Sequence, residues 1–145
     1  MLVLHSMETK NDAQLYVAQK AFIIKKDAVL VLFDSVEGLD FPGGKIQSGE
    51  SDPSLSLTRE VFEETSLQVH ILNPFHVSMG IFHAEHDLAG KGAYIVCFIC
   101  SYISGEVCLS EEHENYRWVT KQNISEVDDG SSFFQILTEF VQKYL

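Results

Sequence analysis

Residues 41–67 read FPGGKIQSGESDPSLSLTREVFEETSL, a glycine-containing loop that runs directly into a helical pattern. Asp52 is a preferred N-cap residue, and Pro53 suits the first helical position because its missing N–H would have no partner there. We therefore predict a helix from Pro53 to about Thr65. This helix is the starting point of the interpretation, because it places charged and apolar side chains at known angles around one axis.

Three glutamates form one face of the predicted helix. At about 100° per residue, Glu60, Glu63 and Glu64 lie together. The arc opposite them carries apolar and small residues: Leu55, Leu57, Thr58, Val61, Phe62 and Thr65. Three neighbouring carboxylates repel one another unless a cation compensates, and hard ions such as Mg²⁺ take oxygen ligands in this way. A solvated acidic surface is the alternative interpretation of the same pattern.

The spacing of these residues resembles the Nudix box of MutT-like hydrolases, in which glycine, five residues, glutamate and seven residues precede Arg-Glu-U-x-Glu-Glu-x-Gly-U, with U a bulky aliphatic residue. Between Gly44 and Leu67 the matching residues are Gly44, Glu50, Arg59, Glu60, Val61, Glu63, Glu64 and Leu67. Eight residues rather than seven separate Glu50 from Arg59, so we predict one extra residue in the Ser51–Asp52 loop. Ser66 replaces the glycine, and we predict a left-handed conformation there at a cost of about 1 kcal/mol.

The resemblance implies a hydrolase that needs Mg²⁺ or Mn²⁺. It implies that Glu60, Glu63 and Glu64 bind the ion together with the Gly43 carbonyl, and that Arg59 pairs with Glu50 to hold the loop against the helix. Water would attack a phosphorus atom and cleave a phosphoanhydride bond of a nucleoside diphosphate linked to another group. The proline of ADP-ribose hydrolases and the tyrosine of dinucleoside polyphosphate hydrolases are missing near Phe82 and His83, which favours a nucleoside (deoxy)triphosphate as the small-molecule substrate.

The residue that activates the water is open at this point. Glu60 is one candidate, and Glu112 or Glu114 from a later loop is the other, either of which could instead bind the ion. His113, between them, is either a base or a solvated loop residue, and we expect the second. The candidate catalytic residues are Arg59, Glu60, Glu63, Glu64 and Glu112, and the candidate substrate contacts are Lys45, Glu114 and Trp118. Tyr116 and Trp118 suit either base stacking or the core.

The remaining pattern predicts an α/β (α+β) Nudix fold, a mixed sheet between helices, as a single domain over residues 1–145. Predicted strands cover residues 15–24, 28–33, 67–72, 75–85, 93–103 and 116–119, with a loop opening at Phe41. A C-terminal helix follows Ser131. Its apolar residues recur at helical spacing: Phe133, Ile136, Leu137, Phe140, Val141 and Tyr144.

Charge and cysteine content exclude several classes of protein. Ten basic against 21 acidic residues give a net charge of -11, which argues against binding nucleic acid or anionic membranes. Cys97 and Cys100 lie in one apolar run, where residues three apart point to opposite faces of a strand, so we expect buried, reduced thiols. No apolar run could span a bilayer, and Met1–Met7 does not resemble a signal peptide, so we expect a cytoplasmic protein.

Three functional classes are compatible with these observations. The first is a metal-dependent Nudix hydrolase. The second is a catalytically weak nucleotide-binding sensor with the same fold, and the third is a non-hydrolytic Nudix enzyme such as an isomerase, for which no additional cysteine–glutamate site is found. Retention of all three helix glutamates favours the hydrolase. The resemblance is also compatible with a homodimer.

Overall fold

The computed structural model describes residues 11–83 and 86–145. Met1–Met7 and Glu85, to which two of the predictions above refer, lie outside the described residues. Strands, helices and one 3-10 helix follow one another as β1 (Tyr16–Lys25), β2 (Ala28–Asp34), β3 (Gly38–Asp40), β4 (Gly43–Lys45), α1 (Pro53–Thr65), β5 (Gln68–Ile81), β6 (Gly92–Ser104), β7 (Asn115–Val119), the 3-10 helix (Ile124–Val127) and α2 (Ser132–Tyr144).

The strands form one mixed sheet with the order β3-β2-β1-β6-β5, in which β4 also pairs with β1 and β7 with β2. β1 and β6 run parallel, from the Tyr16–Ala93 pair to the Ile24–Ser101 pair. The other pairings are antiparallel. Central strands β1 and β2 are therefore covered on both faces, which explains their nearly continuous apolar sequences.

Each face of the sheet packs against one helix. Phe22 points to the α2 side, where its ring lies 3.8 Å from that of Phe41 and 5.0 Å from that of Phe140 between centroids. Ile23, the next residue, points to the α1 side and packs near Leu57. The predicted mixed sheet between helices is confirmed. Neither helix in the described part of the chain is long and apolar enough to cross a membrane.

The two buried cysteines follow the same alternation. Cys97 belongs to the α2-side core and Cys100 to the α1-side core, and both side chains are buried. The predictions that they occupy opposite faces of the strand and that both are buried are confirmed.

Local interactions set the two ends of α1. The Asp52 carboxylate accepts hydrogen bonds from the N–H groups of Ser54 and Leu55 at 2.9 and 3.3 Å. Ser66 ends the helix at φ 63° and ψ 10°, and its N–H donates to the Phe62 carbonyl at 2.8 Å. The predicted limits and the left-handed serine are confirmed. The helix is α-helical throughout, and placement of the extra residue at Ser51–Asp52 stays a prediction.

The predicted apolar arc of α1 is only partly correct. Leu57, Val61 and Thr65 are buried, whereas Leu55 is 68% and Phe62 is 53% exposed. The buried face is instead completed by Ser56 and Glu64. The helix is therefore rolled towards β4, with which Glu64 forms a hydrogen bond, and the prediction that all three glutamates lie opposite the buried side is wrong for Glu64.

β5 is one strand where the sequence predicts two. It continues through Pro74, with shifts in its pairing to β6 between Ile71 and Pro74 and between Pro74 and His76. β5 is at the edge of the sheet, so a residue without an N–H is tolerated there, and the irregularities absorb it. The loop predicted from Phe41 likewise contains a short strand, β4, because residues 43–45 pair with β1.

Replacing Ser66 by glycine is expected to stabilise the protein by about 1 kcal/mol, because glycine adopts the left-handed conformation without steric cost. For a chain of this length the expected increase in Tm is roughly 3 °C. Urea unfolding of the two proteins measures the difference in free energy. Ser54→Gly within the first turn of α1 is the matched control and should destabilise the helix. An equal loss in the free energy of unfolding in Ser66→Gly and Ser54→Gly would contradict a steric cost of the left-handed conformation at Ser66.

Candidate active site

A cavity of about 590 Å³ lies where β1, β4 and α1 meet the loop before β7. Lys20 and Lys45 are the lysines on its wall among the described residues. Seven carboxylates also line it: Asp34, Glu37, Asp40, Glu60, Glu63, Glu64 and Glu112. A phosphate-bearing molecule that enters this cavity needs accompanying cations, because the wall itself is strongly negative.

Arg59 connects the loop before α1 to two of the helix glutamates. Its Nη2 lies 2.9 Å from Glu50 Oε1 and 3.1 Å from Glu60 Oε1, and its Nη1 lies 3.0 Å from Glu63 Oε2. The hydrogen bond to Glu50, followed by that to Glu63, raises the pKa of Arg59 despite desolvation. Glu50 Oε1 also accepts from the Gln47 N–H at 2.9 Å. The implied Glu50–Arg59 pair therefore forms with the longer spacing.

Two glycines allow β4 to fit between β1 and the helix glutamates. Gly43 has φ 150°, and a Cβ atom there would lie 1.9 Å from the Gln19 carbonyl oxygen. Its N–H donates to Glu64 Oε2 at 3.1 Å. At Gly44 a Cβ atom would lie 2.7 Å from the carboxyl carbon of Glu60. Gly43 is thus required by the backbone, and Gly44 by the position of the Glu60 carboxylate.

The variant Gly44→Ala is expected to lower kcat by about 10-fold or more with little change in Tm, because the new methyl group must displace the Glu60 carboxylate. Steady-state hydrolysis and thermal unfolding measure the two effects. Gly49→Ala is the control. Gly49 has φ 89° and open space around its Cα, so alanine there should cost stability and leave kcat unchanged. The opposite pattern in the two variants would contradict this role of Gly44.

A second cluster beside Glu64 consists of Lys20, which is partly buried, and of Asp40 and His113, which are buried. Lys20 Nζ is 2.8 Å from Asp40 Oδ1, and His113 Nε2 is 2.9 Å from Asp40 Oδ2. Burial opposes ionisation of Asp40, but Lys20 and His113 outweigh it and lower the pKa of this carboxyl group. Burial would lower the pKa of His113, and the hydrogen bond and charge of Asp40 raise it instead. The negative charge of Asp40 is therefore offset by Lys20 on one side and by His113 on the other.

The negative charge of the Glu64 carboxylate, in contrast, is only partly offset by its neighbours. It is 5% exposed, and burial raises its pKa from 4.5 to about 8. Lys20 and the Gly43 N–H act in the opposite direction and offset only part of this effect. Burial also raises the pKa of Glu60, with further contributions from Glu63 and Glu112. A divalent cation in the cavity would supply the charge that these carboxylates need.

Glu112 and His113 approach Glu64 from the loop before β7. One ligand atom of each of these three residues lies within 4.8 Å of the others. The structure thus brings Glu112 to the helix glutamates. The expectation that His113 is a solvated loop residue is wrong, because it is 7% exposed and its Nε2 pairs with Asp40.

The residues of this site suit a divalent cation. Carboxylate oxygens from α1 and from the loop before β7 converge on one cavity, and oxygen ligands are those that Mg²⁺ and Mn²⁺ take. His113 Nδ1 is buried without a hydrogen-bond partner among the described residues. Both observations are what a cation site requires of the chain around it.

Not every candidate substrate contact reaches the cavity. Lys45 and Phe82 line it, whereas Glu114, Tyr116, Trp118 and His83 are not among the described lining residues. The Glu114 N–H donates to the Phe33 carbonyl at 3.0 Å, and its side chain is exposed. Trp118 packs against the α1-side core, with Lys25 Nζ 5.7 Å from its ring centroid. Of the two interpretations of Trp118, the structure matches the core.

Apolar residues also line the cavity and form an apolar wall that the sequence analysis did not predict. Ile81, Phe82, Ile95 and Phe133 contribute to it. The Phe82 ring stacks on His86, with centroids 4.6 Å apart, and Lys45 Nζ lies 5.7 Å from the Phe82 centroid. Such a surface can contact a planar base or another apolar group.

Sequence reasoning missed Lys20 and Asp40. A signal for Lys20 was present, because it is the one charged residue in the interior of the strand sequence YVAQKAFIIK, where a buried charge requires a partner. Asp40 precedes the Phe41-Pro42 turn without a comparable signal, since its partners lie 20 positions before and 73 positions after it in the chain.

Comparisons with known proteins agree with this geometry. The sequence model of the NUDIX domain matches residues 14–137. A MutT protein from Methanosarcina mazei is 25% identical, with 95% of this chain and 97% of that chain aligned at a TM-score of 0.72. The MutT protein from Bacillus halodurans is 24% identical, with 86% and 80% aligned at 0.62. An ADP-ribose pyrophosphatase from Streptococcus suis is 19% identical, with 74% and 75% aligned at 0.56. No curated protein matches significantly.

Proposed function

The chain belongs to the Nudix family, and on that premise we propose that it hydrolyses a phosphoanhydride bond of a nucleoside (deoxy)triphosphate with the help of Mg²⁺ or Mn²⁺. One observation carries the proposal: Glu60, Glu63, Glu64 and Glu112 line a single cavity that also contains two lysines and an apolar wall. Family membership supports hydrolysis of a nucleotide, and the cavity supports the choice of ligands and substrate.

Glu63, Glu64 and Glu112, with the Gly43 carbonyl, are the proposed ligands. When bound, the ion neutralises the phosphate oxygens and makes water more acidic, which is the chemistry that phosphoanhydride cleavage needs most. Glu64 is fixed by burial and by the Gly43 N–H, whereas Glu63 and Glu112 are exposed and can adjust. A rigid ligand and two adjustable ones can bind the ion with or without the substrate phosphates.

Glu60 is the proposed general base for the attacking water. Burial raises its pKa, and a carboxylate with a raised pKa takes up a proton more readily. Arg59 Nη2 lies 3.1 Å from Glu60 Oε1 and orients the carboxylate without lining the cavity itself. Arg59 is therefore a positioning residue, and Lys45, on the cavity wall, is the proposed phosphate contact.

The apolar wall is the proposed contact for the nucleoside. Phe82 and Phe133 lie on the cavity surface, so a base can pack on a ring while the phosphates face the carboxylates. A volume of about 590 Å³ is within the range of small-molecule sites and suits a single nucleotide. The two MutT proteins among the similar structures support a MutT-like hydrolase, and the name of the ADP-ribose pyrophosphatase gives an alternative substrate to test.

A substrate panel tests the proposal. The protein is incubated with Mg²⁺ or Mn²⁺ and with one compound at a time: a nucleoside triphosphate, a deoxynucleoside triphosphate, ADP-ribose or a UDP-sugar. The products are separated by anion-exchange chromatography. We expect a nucleoside monophosphate and pyrophosphate from at least one triphosphate. Preferred cleavage of ADP-ribose would contradict the substrate class. Nucleotide-induced increases in Tm without any product would support the sensor instead.

A further inference from the structure

The side chain of His113 is buried with one ring nitrogen in use and one without a partner. Nε2 lies 2.9 Å from Asp40 Oδ2, while Nδ1 is buried and has no hydrogen-bond partner among the described residues. An unpartnered buried nitrogen is unfavourable, so a native structure that retains one calls for a ligand, an ion or a water at that position.

The Asp40 carboxylate determines which nitrogen is available. An ionised carboxylate only accepts hydrogen bonds, so Nε2 carries the proton and donates it to Asp40. Asp40 is itself held by Lys20, whose Nζ lies 2.8 Å from Oδ1. This arrangement fixes the imidazole plane, and the neutral imidazole, which is the form that binds a metal ion, has its lone pair on Nδ1. Histidine ligands of metal ions are held in the same way, by a carboxylate on the other ring nitrogen.

The surroundings of His113 contain further ligands. One ligand atom each from Glu64, Glu112 and His113 lies within 4.8 Å of the other two. Glu64 and His113 are buried and Glu112 is exposed. The exposed glutamate can rotate, so two buried groups and one adjustable carboxylate lie close enough together to share one ion.

We propose that His113 Nδ1 is a ligand of the divalent ion, beside Glu64 and Glu112. This inference rests on the proposed metal-dependent function and adds a nitrogen ligand to a set made otherwise of oxygens. An imidazole nitrogen binds Mn²⁺ and Co²⁺ better than Mg²⁺, which takes oxygen ligands. The site therefore favours Mn²⁺ and Co²⁺ over Mg²⁺ more strongly than carboxylates alone would.

Pulsed EPR of the Mn²⁺-loaded protein, without nucleotide, tests the ligand directly. The spectrum of the unmodified chain is expected to show modulation from a coupled ¹⁴N nucleus. Protein labelled with ¹⁵N in histidine only should show the ¹⁵N frequencies in its place. Because this comparison uses the unmodified chain, it does not depend on whether a variant folds.

Two variants assign the signal to one residue. His113→Gln should abolish the histidine modulation and weaken Mn²⁺ binding, measured by calorimetry, by about 10-fold or more. His70→Gln is the matched control, because His70 is exposed on β5 and not among the described lining residues of the cavity. It should leave the modulation and the Mn²⁺ affinity unchanged. The ratio of Mn²⁺ to Mg²⁺ affinity should fall only in His113→Gln.

The result that would overturn the inference is bound Mn²⁺ whose spectrum does not respond to histidine labelling. The hydrolase proposal would survive that result if the substrate panel still gave products. A histidine-dependent spectrum together with an inactive panel would support the ligand and overturn the hydrolase. The two proposals can therefore fail separately.

Discussion

Replacing Glu64 by glutamine is expected to lower kcat by about 10²-fold or more while the fold survives. The amide has almost the same shape as the carboxyl group. Its oxygen can still accept the hydrogen bond that the Gly43 N–H donates to Glu64 Oε2 at 3.1 Å. It has no charge to hold a divalent ion, and the ion supplies most of the proposed rate enhancement. Steady-state hydrolysis of the best substrate in excess Mg²⁺ measures the loss.

The same substitution is expected to raise the Tm of the metal-free protein at pH 8. Burial raises the pKa of Glu64 from its ordinary 4.5 to about 8. Between these values the folded chain retains a proton that the unfolded chain has released, so the free energy of unfolding falls as the pH rises. Glutamine cannot ionise, and Glu64→Gln removes this pH-dependent loss. Thermal unfolding in EDTA at pH 5, 6, 7 and 8 measures the difference.

Glu139→Gln is the matched control for both effects. Glu139 is exposed on α2, so the same chemical change there should alter neither kcat nor the dependence of Tm on pH. An active Glu64→Gln protein would contradict α1 as the metal-binding element. A Tm difference that stays constant from pH 5 to pH 8 would contradict the cost assigned to the buried carboxylate.

Removing divalent ions is expected to abolish turnover, and Mg²⁺ or Mn²⁺ should restore it. Seven carboxylates and two lysines line the cavity in the described part of the chain, so a triphosphate meets strong repulsion there without cations. Dialysis against EDTA, followed by titration with each ion in the hydrolysis assay, measures the dependence. NaCl at equal ionic strength is the control for screening. Full activity in EDTA would contradict the assignment of Glu63, Glu64 and Glu112 as metal ligands.

Local signals in the sequence account for the parts of the fold that were predicted correctly. Asp52 and Ser66 set the ends of α1 through hydrogen bonds that span four residues or fewer, and Pro53 occupies the first helical position, where no N–H is needed. The alternation in β6 separates Cys97 from Cys100 by the geometry of a strand alone. These features depend only on residues that are close together in the chain, so the sequence pattern is enough to predict them.

The roll of α1 against the sheet depends on distant residues and was predicted incorrectly. The exposure of Phe62 and the burial of Glu64 follow from contacts of the helix with β4 and β1. Apolar spacing within the helix cannot show that a carboxylate will be drawn inward by Lys20 and the Gly43 N–H. Where the charge partners of a helical residue come from other strands, the packing of the helix decides which residues are buried, and the apolar spacing does not.

The candidate site also contains residues that the sequence indicated and residues that it did not. The helix glutamates and Glu112 line one cavity, whereas Trp118 packs against the α1-side core and Glu114 lies outside the described cavity wall. The Lys20–Asp40–His113 cluster draws on β1, β3 and the loop before β7, which only the sheet topology brings together. A single sequence contains no pattern that joins such distant positions.

The burial of the two core cysteines, Cys97 and Cys100, has a practical consequence for chemical labelling. Burial raises the pKa of Cys97 and of Cys100 to about 12, so neither forms the reactive thiolate at neutral pH. Cys108 is exposed, and the chain has no fourth cysteine. A maleimide dye or nitroxide should therefore couple to the native chain at one position. That position precedes Glu112 by four residues, so a probe can be attached close to the candidate site without any engineered mutation.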